Sequence, residues 1–479
     1  MNRKKVFYTL GQLLLLEAVL LMLPALVALI YKEKTGIHFL VTAAVATIAG
    51  GIMLLVCRKR SNVIYAKEGF AIVALTWVFL SAIGALPFFL SNEIPSYVDA
   101  FFETVSGFTT TGASILTNVE ALSHGMLFWR SFTHWVGGMG VIVFIMAIIP
   151  SVSDRSIHIM RAEVAGPIVG KLVPRAKDTA RVLYLIYIAL TALMFVMLLF
   201  GGMGVFDSLI HTFGTAGTGG FGIKADSLAS YSPYCQWVIA VFMILFGLNF
   251  NIYYLLLIRR FKSVLKNTEL WVYLGIVAVS VTVIGFNIYS IYGNVADTAR
   301  ASAFQVASIV STTGFSTANF DLWPGLSKAI LLVLMFLGSC AGSTAGGLKV
   351  SRVILLLKMV RNELRHLIVP KSVNSVKLDG KQVDASVLKN AGNYFVLYVF
   401  LLGAMFLALS FEPFSMETNF TATVACFNNI GPGFDAVGPA ESFAAYTPFS
   451  KLVLSFAMLL GRLELFPMLL IFSPKLWKK

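Results

Sequence analysis

The sequence contains few charged residues. Only 13% of its 479 residues are Asp, Glu, Lys or Arg, whereas 58% are hydrophobic; soluble domains carry charge on about a quarter of their residues. Several segments run for about twenty residues with almost no charge, which is the length that a helix needs to cross a bilayer. The composition therefore excludes an ordinary soluble domain and predicts an all-α polytopic protein of the lipid membrane.

Cysteines and grouped catalytic residues are also scarce. The four cysteines have no paired spacing, so neither a disulfide framework nor a metal site follows from them; they are Cys57, Cys235, Cys340 and Cys426. A membrane-embedded enzyme needs His, Asp, Glu or nucleophiles grouped at membrane depth, and His134 and His211 have no such company. The glycine-rich run before Lys349 lacks Walker spacing. We therefore expect no enzymatic activity, no ATP hydrolysis and no cofactor bound by this chain.

The positive charge of the chain is unevenly distributed. The formal net charge is +14, and 29 of the 37 Lys and Arg residues lie in six segments: 1–5, 58–67, 155–181, 259–266, 349–389 and 475–479. These segments fall in alternate loops between the hydrophobic runs, which is the positive-inside pattern. The distribution predicts that both termini are cytoplasmic, and it favours a membrane protein over a protein that binds nucleic acid.

Ten hydrophobic runs predict about ten transmembrane helices. The first run is too long for the core of a secretion signal and lacks a convincing cleavage site, so we expect it to be retained. The predicted spans are residues 6–31, 39–57, 70–90, 126–150, 182–203, 234–258, 270–292, 329–357, 394–411 and 449–472.

The outer loops after the third, fifth, seventh and ninth spans share an unusual composition. Each holds a moderately apolar run that is too short to cross a bilayer, followed by a stretch rich in Thr and Gly. One such run would favour a helix on the membrane surface, but four at equivalent places favour re-entrant half-helices. The runs are residues 97–108, 206–213, 299–310 and 418–427.

One glycine aligns these four regions. The aligned segments are residues 109–114, 216–221, 311–316 and 428–433, with glycines Gly112, Gly219, Gly314 and Gly431. The glycines are 107, 95 and 117 residues apart, so a unit of about a hundred residues recurs four times. Each unit consists of a span, a half-helix, a Gly-centred segment and a second span. The predicted repeats are 70–150, 182–258, 270–362 and 392–472, after an N-terminal hairpin at 1–57.

Four such segments around one axis would form a pathway for cations. Irregular backbone at membrane depth persists only where it is buried or lines a watery cavity, and glycine permits backbone angles that a side chain would block. A ring of carbonyls replaces the water around a dehydrated cation, and the half-helix C-termini favour the same charge. The acids after each segment either concentrate cations at the outer mouth or are ordinary loop acids: Glu120, Asp226, Asp321 and Asp435.

The eighth predicted span is irregular. Residues 338–347 contain four glycines, each of which costs a helix interior about 1 kcal/mol relative to alanine. The run is either a surface for close helix packing or the middle of a broken helix that forms a loop below the filter. Arg462 lies deep in the last span, where it must avoid lipid. We expect Arg462 either to contact carbonyls of this loop as a barrier to cations or to form a structural bond between spans.

These motifs resemble the Trk/Ktr/HKT superfamily of potassium transporters. The residues that carry the resemblance are 106–112, 311–316, 428–433, 342–347 and 461–464, and the likeness extends from about residue 70 to the end of the chain. The additional N-terminal hairpin is more similar to Trk than to Ktr.

The resemblance implies potassium uptake across a bacterial plasma membrane through a pseudo-fourfold pore in each protomer of a homodimer. It further implies that a ring of cytoplasmic nucleotide-binding regulatory subunits docks on the basic inner face. By the same resemblance, potassium is held by Thr110, Thr111, Gly112, Gly217, Thr218, Gly219, Thr312, Thr313, Gly314, Asn429, Ile430 and Gly431. Gating residues are Gly342, Gly346, Gly347, Lys349 and Arg462.

Two other transport functions remain as alternatives. The second repeat has Ala216-Gly217 in place of a Thr pair and the fourth has Asn428-Asn429-Ile430, so the filter is not a symmetric ring. A sodium-preferring or weakly selective channel would share every physical argument given above. A secondary transporter of organic solutes is disfavoured, because such proteins have paired broken helices and buried charges near the midplane.

Overall fold

The computed structural model describes residues 1–57, 65–140, 176–370 and 375–478. This part of the chain is mainly helical, and its strands are one antiparallel pair, β1 (Lys377–Leu378) and β2 (Lys381–Gln382). Helices satisfy every backbone polar group within one segment, as the bilayer core requires. The predicted all-α membrane fold is confirmed.

An N-terminal hairpin precedes the repeats. Helices α1 (Arg3–Leu20) and α2 (Met22–Ile30) run almost without interruption, and α3 (Gly36–Val56) returns beside them. A Cβ added to Gly11 would lie 2.8 Å from the carbonyl oxygen of Gly50, and the reverse distance is also 2.8 Å. Small residues at this crossing therefore let the two backbones approach closely.

Four units with the same element order follow. Repeat one contains α4 (Ala66–Gly84), α5 (Leu86–Leu90), α6 (Tyr97–Phe108) and α7 (His124–Gly138). Repeat two contains α8 (Ala176–Phe200), α9 (Val205–Gly217), α10 (Pro233–Phe246) and α11 (Phe250–Leu257), and α12 (Phe261–Leu265) connects it to the next repeat. Repeat three contains α13 (Thr268–Tyr292), α14 (Val295–Val310), α15 (Gly325–Leu337) and α16 (Val350–Ile368). Repeat four contains α17 (Ala385–Leu409), α18 (Met416–Phe427), α19 (Pro448–Arg462) and α20 (Phe466–Ile471), and α21 (Pro474–Trp477) ends the chain.

Each of the four short apolar runs in the outer loops forms a helix. The first, α6, has the predicted bounds, and the Ser96 hydroxyl caps it by accepting a hydrogen bond from Asp99 N. The other three, α9, α14 and α18, begin before the predicted run, and α9 also ends after it. Their C-terminal residues are buried, so these helices are not surface helices.

In repeats two, three and four the predicted second span is divided into two helices. Six described helices are long and apolar enough to cross a membrane, and a seventh span results if α10 and α11, which meet at 90°, count as one. The predicted eighth span is two helices, α15 and α16, and the predicted tenth span is also two, α19 and α20. Part of the fourth predicted span, residues 141–150, lies outside the described residues. The sequence raised an interruption, as one of two alternatives, only in span eight, and it did not anticipate the breaks within spans 234–258 and 449–472.

Hydrogen bonds between repeats explain why the helix breaks of repeats two and three are tolerated. At the bend between α10 and α11, the Gly247 carbonyl accepts from Cys340 N at 3.1 Å, and Phe250 N donates to the Gly342 carbonyl at 3.1 Å. The break in repeat two is therefore paired with the break in repeat three. Backbone groups that leave a helix at membrane depth need such partners, and they find them where the broken helices meet.

Candidate ion pathway

The four half-helices α6, α9, α14 and α18 end in the same backbone turn. One residue takes a left-handed conformation, and the next donates its N–H to the carbonyl five residues earlier, at 2.8 to 2.9 Å in all four repeats. The left-handed residues, with φ between 54° and 58°, are Thr110, Thr218, Thr312 and Asn429. The glycine two positions later has φ between 78° and 102°; these glycines are Gly112, Gly220, Gly314 and Gly431.

This turn corrects the sequence alignment in the second repeat. Thr218 holds the left-handed position, so Gly220, rather than Gly219, is the equivalent of Gly112. Gly219 takes the position before that glycine, and Gly217 is the last residue of α9. The error arose because the second repeat has three glycines within four residues, and a sequence alone does not show which of them has the positive φ.

The four turns close a ring. The glycine of each repeat lies against a backbone carbonyl of the next repeat, and an added Cβ would come within 3.0 Å of that oxygen. The fourth repeat closes on the first, so the segments share one axis. We call residues 109–114, 217–222, 311–316 and 428–433 the candidate filter segments. In chain order the contacts join Gly112 to the carbonyl of Gly219, Gly220 to Thr313, Gly314 to Ile430, and Gly431 to Thr111.

The predicted filter residues lie in this ring, with the exception of Gly217. In the second repeat the ring residues are Thr218, Gly219 and Gly220. In the other repeats the structure brings together all of the residues that the sequence indicated: Thr110, Thr111, Gly112, Thr312, Thr313, Gly314, Asn429, Ile430 and Gly431.

Different side chains support the four candidate filter segments. In repeats one and three a hydroxyl pair lies beside the turn, Thr109 with Thr111 at 2.8 Å and Ser311 with Thr313 at 2.6 Å. In repeat four the Asn429 amide donates to the Thr111 hydroxyl at 2.9 Å. The same backbone turn is thus stabilised by side chains of different chemistry.

Repeat two is supported by a histidine from repeat one. His134 Nδ1 lies 2.7 Å from the Gly107 carbonyl, and Phe221 N donates to His134 Nε2 at 3.3 Å. A Cβ on Gly219 would overlap the His134 ring. The imidazole therefore takes the space where repeats one and three carry a threonine, and it joins two neighbouring segments.

A cavity of about 200 Å³ lies on the side of the ring toward which the candidate filter segments run, which we call the outer side. The four ring glycines line it together with residues that follow the candidate filter segments, including Arg130, Lys224 and Glu441. None of the four acids proposed for the outer mouth lines this cavity: Glu120, Asp226, Asp321 and Asp435.

Two of those acids make structural contacts in the outer loops. Asp435 N donates to Asp321 Oδ2 at 3.0 Å, and the Ser415 and Thr418 hydroxyls donate to Asp435 Oδ2 at 2.6 Å. These hydroxyl bonds hold the pKa of Asp435 below its usual value. Burial raises the pKa of Asp321, although Lys328 Nζ lies 3.6 Å from its Oδ1. The contacts support the interpretation of both residues as loop acids.

The glycine-rich part of span eight is a loop. Residues 338–349, which we call the candidate gate loop, separate α15 from α16. Gly338, Gly342, Gly347 and Lys349 all have positive φ, so a helix-packing surface is excluded and the broken-helix interpretation is confirmed. Gly346 is the part of the loop that reaches the ring.

The candidate gate loop contacts the inner end of the ring. Gly346 N donates to the Thr312 hydroxyl at 2.7 Å, and a Cβ on Gly346 would overlap the Asn428 carbonyl. Both partners precede the ring glycine of their repeat. Since each segment runs outward from its half-helix, the loop lies on the side of the ring opposite the outer cavity.

Arg462 joins the candidate gate loop to repeat one. Its guanidinium donates to the Thr344 carbonyl at 2.6 Å and to the Thr110 hydroxyl at 3.1 Å. It also donates to the carbonyls of Gly137 at 2.6 Å and Gly138 at 2.7 Å, at the end of α7. Arg462 makes both of the contacts that the sequence left as alternatives, one with a loop carbonyl and one with another span, and its guanidinium places a positive charge at the inner end of the ring.

A smaller cavity of about 60 Å³ lies beside the loop on the inner side. Its lining includes all five predicted gating residues: Gly342, Gly346, Gly347, Lys349 and Arg462. The Lys349 ammonium is buried and donates to the Ala345 carbonyl. Arg352, in the first turn of α16, pairs with Glu464 at 2.5 Å. The inner end of the ring is therefore surrounded by positive side chains whose hydrogen bonds hold the loop.

The family model of TrkH, described as a cation transport protein, matches residues 36–479. The chain belongs to this family. It is similar over 98% of both chains to the Trk system potassium uptake protein TrkH of Salmonella typhimurium strain LT2, at 37% identity. It is 33% identical, over the full length of both, to the protein of that name from Vibrio parahaemolyticus. The crystal structure of the potassium transporter TrkH from Vibrio parahaemolyticus superposes with a TM-score of 0.89 at 32% identity, covering all of both chains.

Membership of the TrkH family confirms the resemblance read from the motifs. It also supports a multi-pass protein of the bacterial inner membrane, in agreement with the apolar spans. The family is one of cation transport, and its relatives are named as transporters.

In this TrkH-family chain, sequence reasoning missed a buried ion pair behind the ring. Arg130 Nε lies 2.6 Å from Glu103 Oε1, and their side chains are 4% and 0% exposed. Arg130 also donates to the Gly222 carbonyl at 2.9 Å and stacks over Phe221 at 3.5 Å, while Glu103 accepts from Ile115 N at 3.0 Å. The pair thus braces the outward ends of two candidate filter segments. Its only sequence signal is a charged residue within each apolar helix.

Proposed function

We propose that this chain takes up potassium through a channel-like pore enclosed by its own four repeats. The observation that carries the proposal is the closed ring in which the glycine of each repeat meets a carbonyl of the next. Further support comes from the full-length relatives named potassium uptake proteins. The membrane potential supplies about 2.3 kcal/mol per charge per 100 mV, which is sufficient to drive a cation inward without bound fuel.

Backbone carbonyls are the ligands that we assign to potassium. The carbonyls that precede the ring glycines, one from each repeat, replace the hydration shell of the ion; they belong to Thr111, Gly219, Thr313 and Ile430. The four half-helices end at this ring, and their C-termini add partial negative charge. The left-handed residue before each carbonyl sets its direction. In repeat two the ring glycine that follows the assigned carbonyl is Gly220, and Gly217, which the sequence had indicated, is not part of the ring.

The candidate gate loop and Arg462 form the inner barrier. The loop backbone bonds to Thr312, and the guanidinium bonds to Thr110 and to the loop itself. The guanidinium is a fixed positive charge beside the ring, and it repels a cation that leaves the ring. The repulsion is strong because Coulomb energies are large where water is scarce. Opening therefore requires the loop to move and Arg462 to change its partners.

We further propose that the protein works as a homodimer with both termini in the cytoplasm. The alternate-loop distribution of Lys and Arg supports this orientation. The basic inner face then receives nucleotide-binding regulatory subunits, which bias the gate. Cross-linking in native membranes tests the dimer, because a dimer gives a cross-linked product with twice the mass of one chain. Accessibility of an engineered N-terminal tag from either side tests the orientation.

Ion competition in liposomes tests the proposed function. The purified chain is reconstituted at a fixed membrane potential, and uptake of labelled potassium is measured with unlabelled potassium, sodium or an organic cation as competitor. We expect potassium to compete and the organic cation to have no effect. Equal competition by sodium would favour the weakly selective alternative, for which the missing hydroxyls at Gly219 and Ile430 are the structural argument. No cation uptake with or without regulatory subunits would contradict the proposal.

A further inference from the structure

A single carboxylate oxygen accepts hydrogen bonds from the candidate gate loop and from the first turn of α16. Glu269 lies in the first turn of α13 and is 7% exposed. Its Oε1 accepts hydrogen bonds from Ala341 N at 2.7 Å and from Ser351 N at 3.0 Å. We propose that Glu269 is a positioning residue that latches the loop in its closed arrangement beneath the ring. This inference rests on the proposed function, because it assigns a cause to the closed state of that gate.

The two amides lie on either side of the part of the loop that meets the pathway. Between them are Thr344, whose carbonyl binds Arg462, and Gly346, whose N–H binds Thr312. Fixing the chain at residues 341 and 351 therefore fixes the nine residues between them. No described element other than α13 supplies a side chain that bonds the backbone on both sides of this stretch, so Glu269 links the first span of repeat three to the gate.

The hydrogen bond to Ser351 also favours a carboxylate at this place. Ser351 lies in the first turn of α16, where unpaired backbone N–H groups and the helix dipole attract negative charge. Ala341 N is a second donor, and it lies in the loop between α15 and α16, where no helix supplies its acceptor. One charged acceptor thus satisfies two buried donors, and a residue without an acceptor would leave both unpaired.

Glu269 has two properties that can be tested separately, its negative charge and its acceptor oxygen. Three positive side chains, Lys349, Arg352 and Arg462, lie near this region with Glu464 as the other acid. Removing the Glu269 charge makes the region more positive, which opposes cation passage. Removing its acceptor oxygen frees the loop, which permits passage. A glutamine keeps the acceptor and loses the charge, whereas an alanine loses both.

Cys340 supplies a native probe of loop position. The residue is 0% exposed, and its N–H bonds to the Gly247 carbonyl. In a background with Cys57→Ala, Cys235→Ala and Cys426→Ala, Cys340 is the remaining thiol of the chain. Its rate of modification by a charged thiosulfonate added from the cytoplasmic side then reports how often the loop leaves its closed position. The measurement needs no ion flux.

The experiment compares Glu269→Ala and Glu269→Gln in this background, reconstituted in liposomes as the full chain. Glu363→Ala, which removes an exposed acid on α16, is the matched control. We expect Glu269→Ala to raise both Cys340 labelling and basal potassium uptake on the order of tenfold, because a charge-assisted hydrogen bond biases an equilibrium by about that factor. We expect Glu269→Gln and Glu363→Ala to label at the rate of the parent.

Two outcomes would overturn the inference, and a third would separate it from the proposed function. Parental labelling of Cys340 in Glu269→Ala would overturn the latch, and equal labelling in the alanine and glutamine variants would overturn the role of the acceptor oxygen. Increased labelling without potassium uptake in any protein would uphold the latch and contradict the proposed function. If Glu269→Ala does not assemble, Glu269→Asp gives the same comparison, since its carboxylate is one methylene short of both amides.

Discussion

Replacing Gly314 by alanine perturbs the ring at one defined contact. Gly314 has φ +82°, and its added Cβ would overlap the Ile430 carbonyl oxygen of the next repeat. The positive φ costs an alanine about 1–2 kcal/mol, and the carbonyl must move by about an ångström to restore normal contact. One of the four ligands that we assign to potassium is then displaced, while the other three remain.

We expect Gly314→Ala to lower the selectivity for potassium over sodium by a larger factor than it lowers the rate of potassium uptake. If the displaced carbonyl contributes about 1–2 kcal/mol to the preference for potassium over sodium, the selectivity ratio falls roughly tenfold, since 1.4 kcal/mol corresponds to a factor of ten. Competition of sodium with labelled potassium in liposomes measures this ratio. Gly325→Ala is the matched control, because a Cβ there meets nothing within 4 Å and its φ is not positive.

An unchanged ratio in Gly314→Ala would refute the reasoning, because the structure leaves no space for the added methyl without movement of the neighbouring carbonyl. Loss of the folded protein would be distinguished by the amount recovered as a single species after purification. The same substitution at Gly220 tests the corrected alignment. Gly220→Ala is expected to lower the ratio as Gly314→Ala does, since its Cβ would overlap the Thr313 carbonyl.

Three more predictions concern charged side chains. Arg462→Gln should raise basal potassium uptake about tenfold, measured without regulatory subunits, and unchanged uptake would contradict its role as a barrier. Arg130→Met should lower the unfolding free energy by about 3–5 kcal/mol, because Glu103 is left buried and unpaired; thermal unfolding in detergent would show this, and Arg130→Met combined with Glu103→Gln should recover part of the loss. The lowered pKa of Asp435 means that its stabilising contribution is complete above the unfolded carboxyl pKa of about 3.9 and disappears as the pH falls through the folded value. The difference in Tm between the parent and Asp435→Asn should therefore be constant at neutral pH and shrink below about pH 4, and a difference that persists there would contradict this assignment.

The features that the sequence predicted correctly were those with local causes. The half-helix α6 has the predicted bounds because a capping serine and an apolar run define it. The loop in span eight was one of two interpretations that the sequence left open, and it was raised because four glycines disfavour a helix interior. The contact of Arg462 with a loop carbonyl followed from the cost of placing a charge in lipid.

The features that the sequence did not predict depend on residues distant in the chain. Arg130 and Glu103 are 27 residues apart, and Glu269 lies 72 residues before Ala341; no spacing rule relates such pairs. The helix breaks in repeats two and four lack the glycine cluster of repeat three. The break in repeat two finds backbone partners in the candidate gate loop, and the side chains at the break in repeat four, Arg462 and Glu464, bond to Thr344 and Arg352. A sequence alone does not show these contacts.

The ring is one backbone structure supported by three kinds of side-chain contact. Hydroxyl pairs flank the turn in repeats one and three, a histidine supports it in repeat two, and in repeat four the left-handed residue is itself an asparagine whose amide bonds to Thr111. The four left-handed residues nevertheless agree within 4° in φ. If ion binding depended on side-chain ligands, this variety would give unlike ligands in different repeats. Because carbonyl position depends on backbone angles, the repeats can differ in sequence and still supply equivalent oxygens. The positive-φ glycine and the turn before it are therefore the features that the pore requires of each repeat, and the supporting side chains are free to differ as long as they hold that turn.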